Sequence, residues 1–114
     1  MQHRDSIILK KVLSEISVAF DMLGNTSMEV FLDDEKLKRA VAMTVINIGE
    51  LVKNITPETR LDYPHIPWKA IAGMCDIAAH KYQTLRMEDV YNTVTLDFES
   101  LQENIQQILS DESV

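Results

Sequence analysis

The segment from Glu35 to Ile55 constrains the fold most, because its apolar residues cover more than one face of a helix. One face carries, at spacings of three and four residues, Leu37, Ala40, Val41, Thr44, Val45, Ile48, Leu51, Val52 and Ile55. Ala42, Met43 and Ile46 add apolar surface on the other side. Such a helix is buried on more than one face. We therefore place it at the centre of a helical bundle or at a dimer interface.

Three further segments have the period of amphipathic helices. Arg4 to Leu23 is followed by Gly24, which can adopt the left-handed conformation found at helix C-termini. Lys69 to Tyr82 and Glu88 to Leu109 are the other two. Together with the central helix, these segments account for most of the chain.

The connecting segments contain residues that begin helices. Thr26 or Ser27 is predicted to cap a short helical segment, and Asp33 or Asp34 the central helix, because their side-chain oxygens accept hydrogen bonds from first-turn N–H groups. Pro57 to Pro67 contains three prolines and no hydrophobic period. We predict a loop there.

Four substantial helices, one short helix and no strand candidate predict an all-α fold, an antiparallel up-and-down helical bundle. The 114 residues form one domain, with the polar residues 110–114 as a frayed tail. A chain of this size gains buried surface by pairing, so we expect a homodimer.

The composition limits where the protein works and what it binds. Its formal charge of −7, from 18 acidic and 11 basic residues, argues against an extended nucleic-acid footprint, so RNA would bind locally. A single Cys excludes an internal disulfide and, with no apolar signal segment, fits the reducing cytoplasm. No apolar run approaches the roughly 20 residues that span a bilayer. We expect a cytoplasmic protein with no membrane partner.

The segment from Tyr63 to Tyr82 concentrates the residue types that carry chemistry. It contains the only Trp, the only Cys and two of the three His residues, and Pro67 suits a helix start. One helical stripe is predicted to face the interior and consists of Trp68, Ile71, Ala72, Cys75, Ala79 and Tyr82. The neighbouring stripe consists of Lys69, Gly73, Asp76 and His80. Two titratable groups therefore lie one turn apart on the edge of an apolar helix.

Separated motifs along the chain carry a family resemblance. They are FLDD at Phe31–Asp34, AVAMTVINIGE at Ala40–Glu50, Pro-x-Ile-Pro-Trp at Pro64–Trp68, and a His-x-Tyr at His80 and Tyr82. In this order they resemble the HepT-like branch of the HEPN superfamily, and the resemblance covers nearly the whole chain. It implies a HEPN-like homodimer that is the metal-independent endoribonuclease toxin of a toxin–antitoxin pair.

The catalytic motif of that family is Arg, four to six residues, then His, with Tyr two positions later. In this chain Cys75 occupies the Arg position, Asp76 follows it, and His80 and Tyr82 match. The resemblance implies that His80 transfers protons while a ribose 2′-hydroxyl attacks the neighbouring phosphate. It also implies that Tyr82 accepts AMP from a minimal nucleotidyltransferase antitoxin, which blocks the ribonuclease. We expect Asp76 to orient the His80 imidazole.

A cation for the phosphate is not obvious from the sequence. Cys75 cannot provide the charge of the family Arg. Lys69 and Lys81 are predicted phosphate contacts, and Arg60 and Arg86 are further candidates.

Several alternatives remain open at this point. The protein could be a catalytically degenerate HEPN module that only binds a nucleotidyltransferase, or a dimeric scaffold with no site. His80 could simply hydrogen-bond Asp76 or the backbone, and Tyr82 could be a core residue. A nucleophilic Cys75 is disfavoured because burial on the apolar stripe would raise its pKa. No Cys and His spacing matches a zinc motif, and no cofactor is predicted.

Overall fold

The structure, a computed structural model, describes residues 1–112, apart from the side chains of residues 75, 78 and 79. Its α-helices are α1 His3–Leu23, α2 Met28–Asp33, α3 Glu35–Lys53, α4 Pro57–Asp62, α5 Trp68–His80, α6 Met87–Asn92 and α7 Phe98–Glu112. A 3₁₀ turn, Tyr82–Thr84, follows α5, and a π-helical turn, Thr93–Asp97, joins α6 to α7. The all-α class is confirmed, with no strand among residues 1–112. The up-and-down order and the homodimer stay predictions.

Helix α3 is the centre of the fold. It packs against α1 on one side and against α5 on the other, and α7 packs against α1. Val41, Val45 and Val52 are fully buried, and Ala42 is 1% exposed. The prediction that this helix is buried on more than one face is therefore confirmed. Met43, in contrast, remains 56% exposed.

The predicted end of α1 and the predicted starts of α2 and α3 are present, and a hydrogen bond at each helix terminus accounts for them. Gly24 has a φ of 50°, and its N–H donates to Phe20 O at 2.8 Å, closing α1. Ser27 Oγ accepts from the Val30 N–H at 3.2 Å at the start of α2. At the start of α3, Asp34 Oδ1 accepts from the N–H of Leu37 at 3.0 Å.

The loop predicted for residues 57–67 is wrong in its first half, where Pro57–Asp62 forms the two-turn helix α4. Pro57 occupies the first turn, where a missing N–H has no cost. Two turns are too short to show a hydrophobic period, so the sequence pattern did not reveal the helix.

The boundaries of the later helices also differ from prediction. Helix α5 ends at His80, two residues early, so Tyr82 lies in the 3₁₀ turn and is half-buried. The closing helix contains the π-helical turn and continues to Glu112, beyond the predicted end at Leu109. Residues 113–114 of the predicted frayed tail lie outside the described residues.

Asp5 is a buried carboxylate that fastens α1 to α4. Its oxygens accept hydrogen bonds from Thr56 N at 3.1 Å, Thr56 Oγ1 at 2.5 Å and Thr59 Oγ1 at 2.6 Å. Burial raises the pKa of Asp5, but these hydrogen bonds outweigh it and hold the pKa below its ordinary value of 3.8. The carboxylate therefore stabilises the fold in its charged form.

Arg60 makes the second connection, from α4 to the end of α3. Its Nη2 donates to Val52 O at 2.9 Å and its Nε to Ile55 O at 3.3 Å. Carbonyls near a helix C-terminus lack partners within the helix. Arg60 adds a side-chain donor to both carbonyls, and Val52 O also accepts from the Ile55 N–H at 3.1 Å. Arg60 therefore serves the fold and not a phosphate contact.

Asp5→Asn is expected to lower the free energy of unfolding by about 1–3 kcal/mol at neutral pH, because charged hydrogen bonds are lost from a buried site. The folded pKa is depressed, so this stabilisation is present above the unfolded pKa and is lost as the pH falls through the folded pKa. Urea unfolding measures the free energy of unfolding at about pH 7 and pH 3. The decrease in this free energy from pH 7 to pH 3 should be smaller in the variant than in the native protein. The exposed Asp21→Asn is the control; equal effects would contradict the role of Asp5.

Arg60→Met should cost about 1–2 kcal/mol of unfolding free energy, because it removes two hydrogen bonds from a charged donor to carbonyl groups near the end of α3. Arg86→Met is the matched control, since Arg86 is exposed and forms a 3.7 Å ion pair with Glu88. We expect less than about 0.5 kcal/mol for the control. Chemical denaturation of both variants measures the difference, and similar values would show that Arg60 does not fasten α3.

Candidate active site

Buried residues before and within the first turn fix the position of α5. Ile66 and Trp68 are 2% and 5% exposed. The Trp68 Nε1–H donates to Tyr63 O at 3.0 Å, and the N–H of Ile71 donates to Pro67 O at 3.0 Å. The start of α5 is thus held by both apolar burial and hydrogen bonds, which sets the direction of its outer face.

The two predicted stripes of α5 are separated in the structure. Lys69, Gly73 and His80 are exposed, and the Asp76 side chain is 48% exposed, so the polar stripe faces solvent. On the apolar stripe, the residues with described side chains are buried or half-buried: Trp68, Ile71 and Ala72. The side chains of Cys75 and Ala79 lie outside the described residues, so their expected inward orientation stays a prediction.

Asp76 forms an ion pair with a residue that the sequence analysis missed. Its Oδ1 binds Lys53 Nζ, which also contacts Glu50 Oε1 at 3.1 Å. The hydrogen bond with Asp76, followed by that with Glu50, raises the pKa of Lys53 above its ordinary value. Lys53 is 23 residues from Asp76 in sequence, so no helical period connects them. The charged pair Glu50 and Lys53 at the end of an apolar helix was the available signal.

His80 lies on the exposed side of α5, one turn beyond Asp76. Within the described part of the chain, its imidazole has no hydrogen-bond partner, and the Asp76 carboxylate contacts Lys53 instead. Side chains at i and i+4 are neighbours on a helix, with Cβ atoms about 6 Å apart. The geometry leaves the imidazole accessible for proton transfer, while the orienting role of Asp76 stays a prediction.

Tyr82 packs against the first half of α3. The guanidinium carbon of Arg39 lies 5.3 Å from the centroid of the Tyr82 ring, close enough for a cation–π interaction. Arg39 Nε also contacts Glu35 Oε1 at 3.0 Å. Among the groups that the structure describes, which exclude the side chains of residues 75, 78 and 79, none hydrogen-bonds the Tyr82 hydroxyl. The phenol is therefore half-buried, with its ring against Arg39.

The basic residues predicted to contact a phosphate have no described contact with Asp76 or His80. Lys69 and Lys81 are exposed and have no described contact with Asp76 or His80. Arg60 is bound to the end of α3, and Arg86 pairs with Glu88.

An apolar cavity of about 330 Å³ lies beside α5 but does not include the predicted catalytic residues. Its lining comes from α3, α5, the π-helical turn and α7, and includes Val45, Ile71, Met74 and Phe98. Thr93 Oγ1 donates to Met74 Sδ at 3.2 Å across this region. Asp76, His80 and Tyr82 line no part of this cavity. The candidate site is therefore an open helix face.

The described part of the chain contains neither a metal-ligand cluster nor a membrane-spanning helix. No group of three His, Cys, Asp or Glu side chains is arranged there as metal ligands would be. None of its helices combines the length and apolar character needed to cross a membrane.

Comparisons with known proteins agree with the motifs. The family described as ribonuclease HepT-like matches residues 12–108. A candidate RNase of Caldanaerobacter subterraneus subsp. tengcongensis is 32% identical over 104 residues, covering 91% of this chain and 93% of that protein. A candidate RNase of Methanocaldococcus jannaschii is 30% identical over 112 residues, covering 97% and 93%.

A further relative carries the family name. It is a probable ribonuclease HepT of Thermococcus cleftensis, 32% identical over 96 residues, which cover 81% of this chain and 87% of that protein. No solved structure gives a significant match. The family match and these relatives span most of the chain, and they show that it belongs to the HepT-like ribonuclease family.

Proposed function

We propose that this protein is a metal-independent endoribonuclease that acts in the cytoplasm as a homodimer. We propose further that it is the toxin of a toxin–antitoxin pair. The observation that carries the proposal is the placement of His80. Its imidazole lies on the solvent side of α5 with no hydrogen-bond partner among the described residues, one turn from the ion-paired Asp76. The family membership supplies the substrate class, RNA.

The proposed reaction is an internal transfer within the RNA. One His80 takes the proton of a ribose 2′-hydroxyl, whose oxygen forms a bond to the neighbouring phosphorus. The bond from phosphorus to the 5′-oxygen of the next nucleotide breaks, and a second imidazole, His80 of the other copy, gives that oxygen a proton. The products are a 2′,3′-cyclic phosphate and a 5′-hydroxyl. No water is consumed in this step.

The open site supports the homodimer. An exposed helix face excludes water poorly, and a second copy would supply both a wall and the second imidazole. Met43 on α3 is 56% exposed and Ile77 on α5 is 51% exposed, so apolar surface is present on the two helices that carry the site. Burial of such surface favours association.

The position of Tyr82 supports control by AMP transfer. In the proposed step, its hydroxyl attacks the α-phosphorus of ATP bound by a minimal nucleotidyltransferase, the hydroxyl proton passes to a base of that enzyme, and pyrophosphate leaves. The hydroxyl has no hydrogen-bond partner in the described part of the chain, and Arg39 lies on the ring. The added phosphate would lie two residues from His80, where its charge would repel RNA.

A second candidate function is a catalytically degenerate HEPN module that binds the nucleotidyltransferase without cleaving RNA. Two observations favour it: Cys75 occupies the position of the motif Arg, and the chain carries a net charge of −7. Both reduce the attraction of a phosphate to this face.

The ribonuclease proposal predicts cleavage of a mixed RNA by the purified protein in EDTA. His80→Ala should lower the rate at least about 100-fold, because general acid–base catalysis contributes that much or more. His65→Ala, at an exposed His outside the site, is the control and should retain the native rate.

Cys75→Arg separates the two candidate functions. An inactive native protein with an active Cys75→Arg variant would support the degenerate module. If the native protein cleaves RNA and the His80→Ala variant cleaves it at the same rate, the assignment of His80 is contradicted.

Incubation with ATP and the nucleotidyltransferase partner should increase the intact mass by AMP groups. Tyr82→Phe should abolish the increase, because it removes the accepting oxygen and keeps the ring on Arg39. Tyr63→Phe is the control, since Tyr63 is half-buried in the connection before α5. An unchanged mass increase in Tyr82→Phe would locate the modification elsewhere.

A further inference from the structure

We propose that Lys53 binds a phosphate of the RNA beside His80 and is the cation of this site. The proposal rests on the proposed ribonuclease function. Lys53 is the last residue of α3, and its ammonium reaches across to Asp76 on α5. Asp76 directly follows Cys75 and precedes His80 by one turn. The positive charge therefore reaches the same helix face as the imidazole, although it comes from a different helix.

The spacing on α5 suits a phosphate. Asp76 and His80 are i and i+4, with Cβ atoms about 6 Å apart. A phosphate that accepts one hydrogen bond of about 2.9 Å from the ammonium and another from the imidazole would lie between two donors that extend beyond these Cβ atoms. A phosphate oxygen bound to the Lys53 ammonium would thus lie within reach of the His80 imidazole.

The Lys53 ammonium has more N–H donors than its described contacts use. It carries three N–H groups, and the described contacts, with Glu50 and Asp76, use two of them. These two carboxylates come from different helices and fix the ammonium in place. They also raise the pKa of Lys53, so the group stays charged at neutral pH and acts as a cation and not as a base.

The other cations near the site have other roles or positions. Arg60 hydrogen-bonds the carbonyls of Val52 and Ile55. Arg39 lies over the ring of Tyr82, two residues beyond His80, and its Nε binds Glu35 Oε1 at 3.0 Å.

The ion pair itself does not prevent phosphate binding. Side-chain exposure is 35% for Lys53 and 48% for Asp76, and water screens exposed ion pairs so that they contribute little stability. An RNA phosphate can therefore share the ammonium or displace one carboxylate. Where the phosphate displaces a carboxylate, the ammonium would give a chain with a net charge of −7 one local contact for RNA on this face.

The test is the binding of a fluorescent 2′-O-methyl oligonucleotide, measured by anisotropy at about 50 and 200 mM salt. The methyl group blocks attack by the 2′-oxygen, so binding is measured without cleavage. Lys53→Met should weaken binding about five- to tenfold and reduce the slope of log affinity against log salt by about 0.7, the value for one phosphate contact on a single strand.

Two further Lys53 variants separate charge from structure. Lys53→Arg should keep the affinity within about threefold, because it keeps the charge. Lys53→Gln should lose affinity as Lys53→Met does, although its amide can still donate to Asp76. The control is Lys38→Met, which removes the same charge from the same helix and breaks a 3.1 Å ion pair with Glu35.

In the binding experiment, three results would overturn the inference: no binding by the native protein, equal losses in Lys53→Met and Lys38→Met, or an unchanged salt slope in Lys53→Met. Binding that depends on Lys53, without cleavage of ordinary RNA, would support the phosphate site and reject the ribonuclease. Native cleavage of RNA that is unaffected by Lys53→Met would support the ribonuclease and reject the role of Lys53.

Discussion

The burial of α3 against both α1 and α5 is the constraint on which the rest of the structure depends. Because α1 covers one side and α5 the other, the position of α5 is set by apolar packing on α3. The polar stripe of α5, with Asp76 and His80, then has to face solvent. The end of α3 is held by Arg60, and α4 is held to α1 by Asp5. Buried polar contacts of this kind fix the geometry of helices that apolar packing alone would allow to shift.

Charge is the second organising factor. The protein is acidic, with a formal charge of −7, so general attraction cannot bring RNA to it. The proposed ribonuclease therefore needs positive charge close to His80. Lys53 meets Asp76 at one end of the interface between α3 and α5, and Arg39 meets Tyr82 at the other. Our account assigns phosphate binding to the first position and control by modification to the second.

The sequence predicted the elements whose signals are local. The apolar period of α3 and the caps at Gly24, Ser27 and Asp34 depend on neighbours within one or two turns, and the structure contains all of them. Contacts between distant segments leave no such signal. The partners Thr59 of Asp5 and Asp76 of Lys53 are 54 and 23 residues away in sequence, so no local pattern connects them. The end of α5 was misplaced because no Gly or Pro marks it.

The central claim is that His80 cleaves RNA by transferring protons to and from ribose and phosphate oxygens. The chemical ends of the RNA fragments test it most directly, because they record which oxygen attacked the phosphorus. Mass spectrometry of the fragments made in EDTA should find 2′,3′-cyclic phosphates and 5′-hydroxyls, and a substrate with a single 2′-deoxy nucleotide should be left uncut at that position. Fragments that end in 3′-hydroxyls and 5′-phosphates, or cleavage at the deoxy position, would contradict the account.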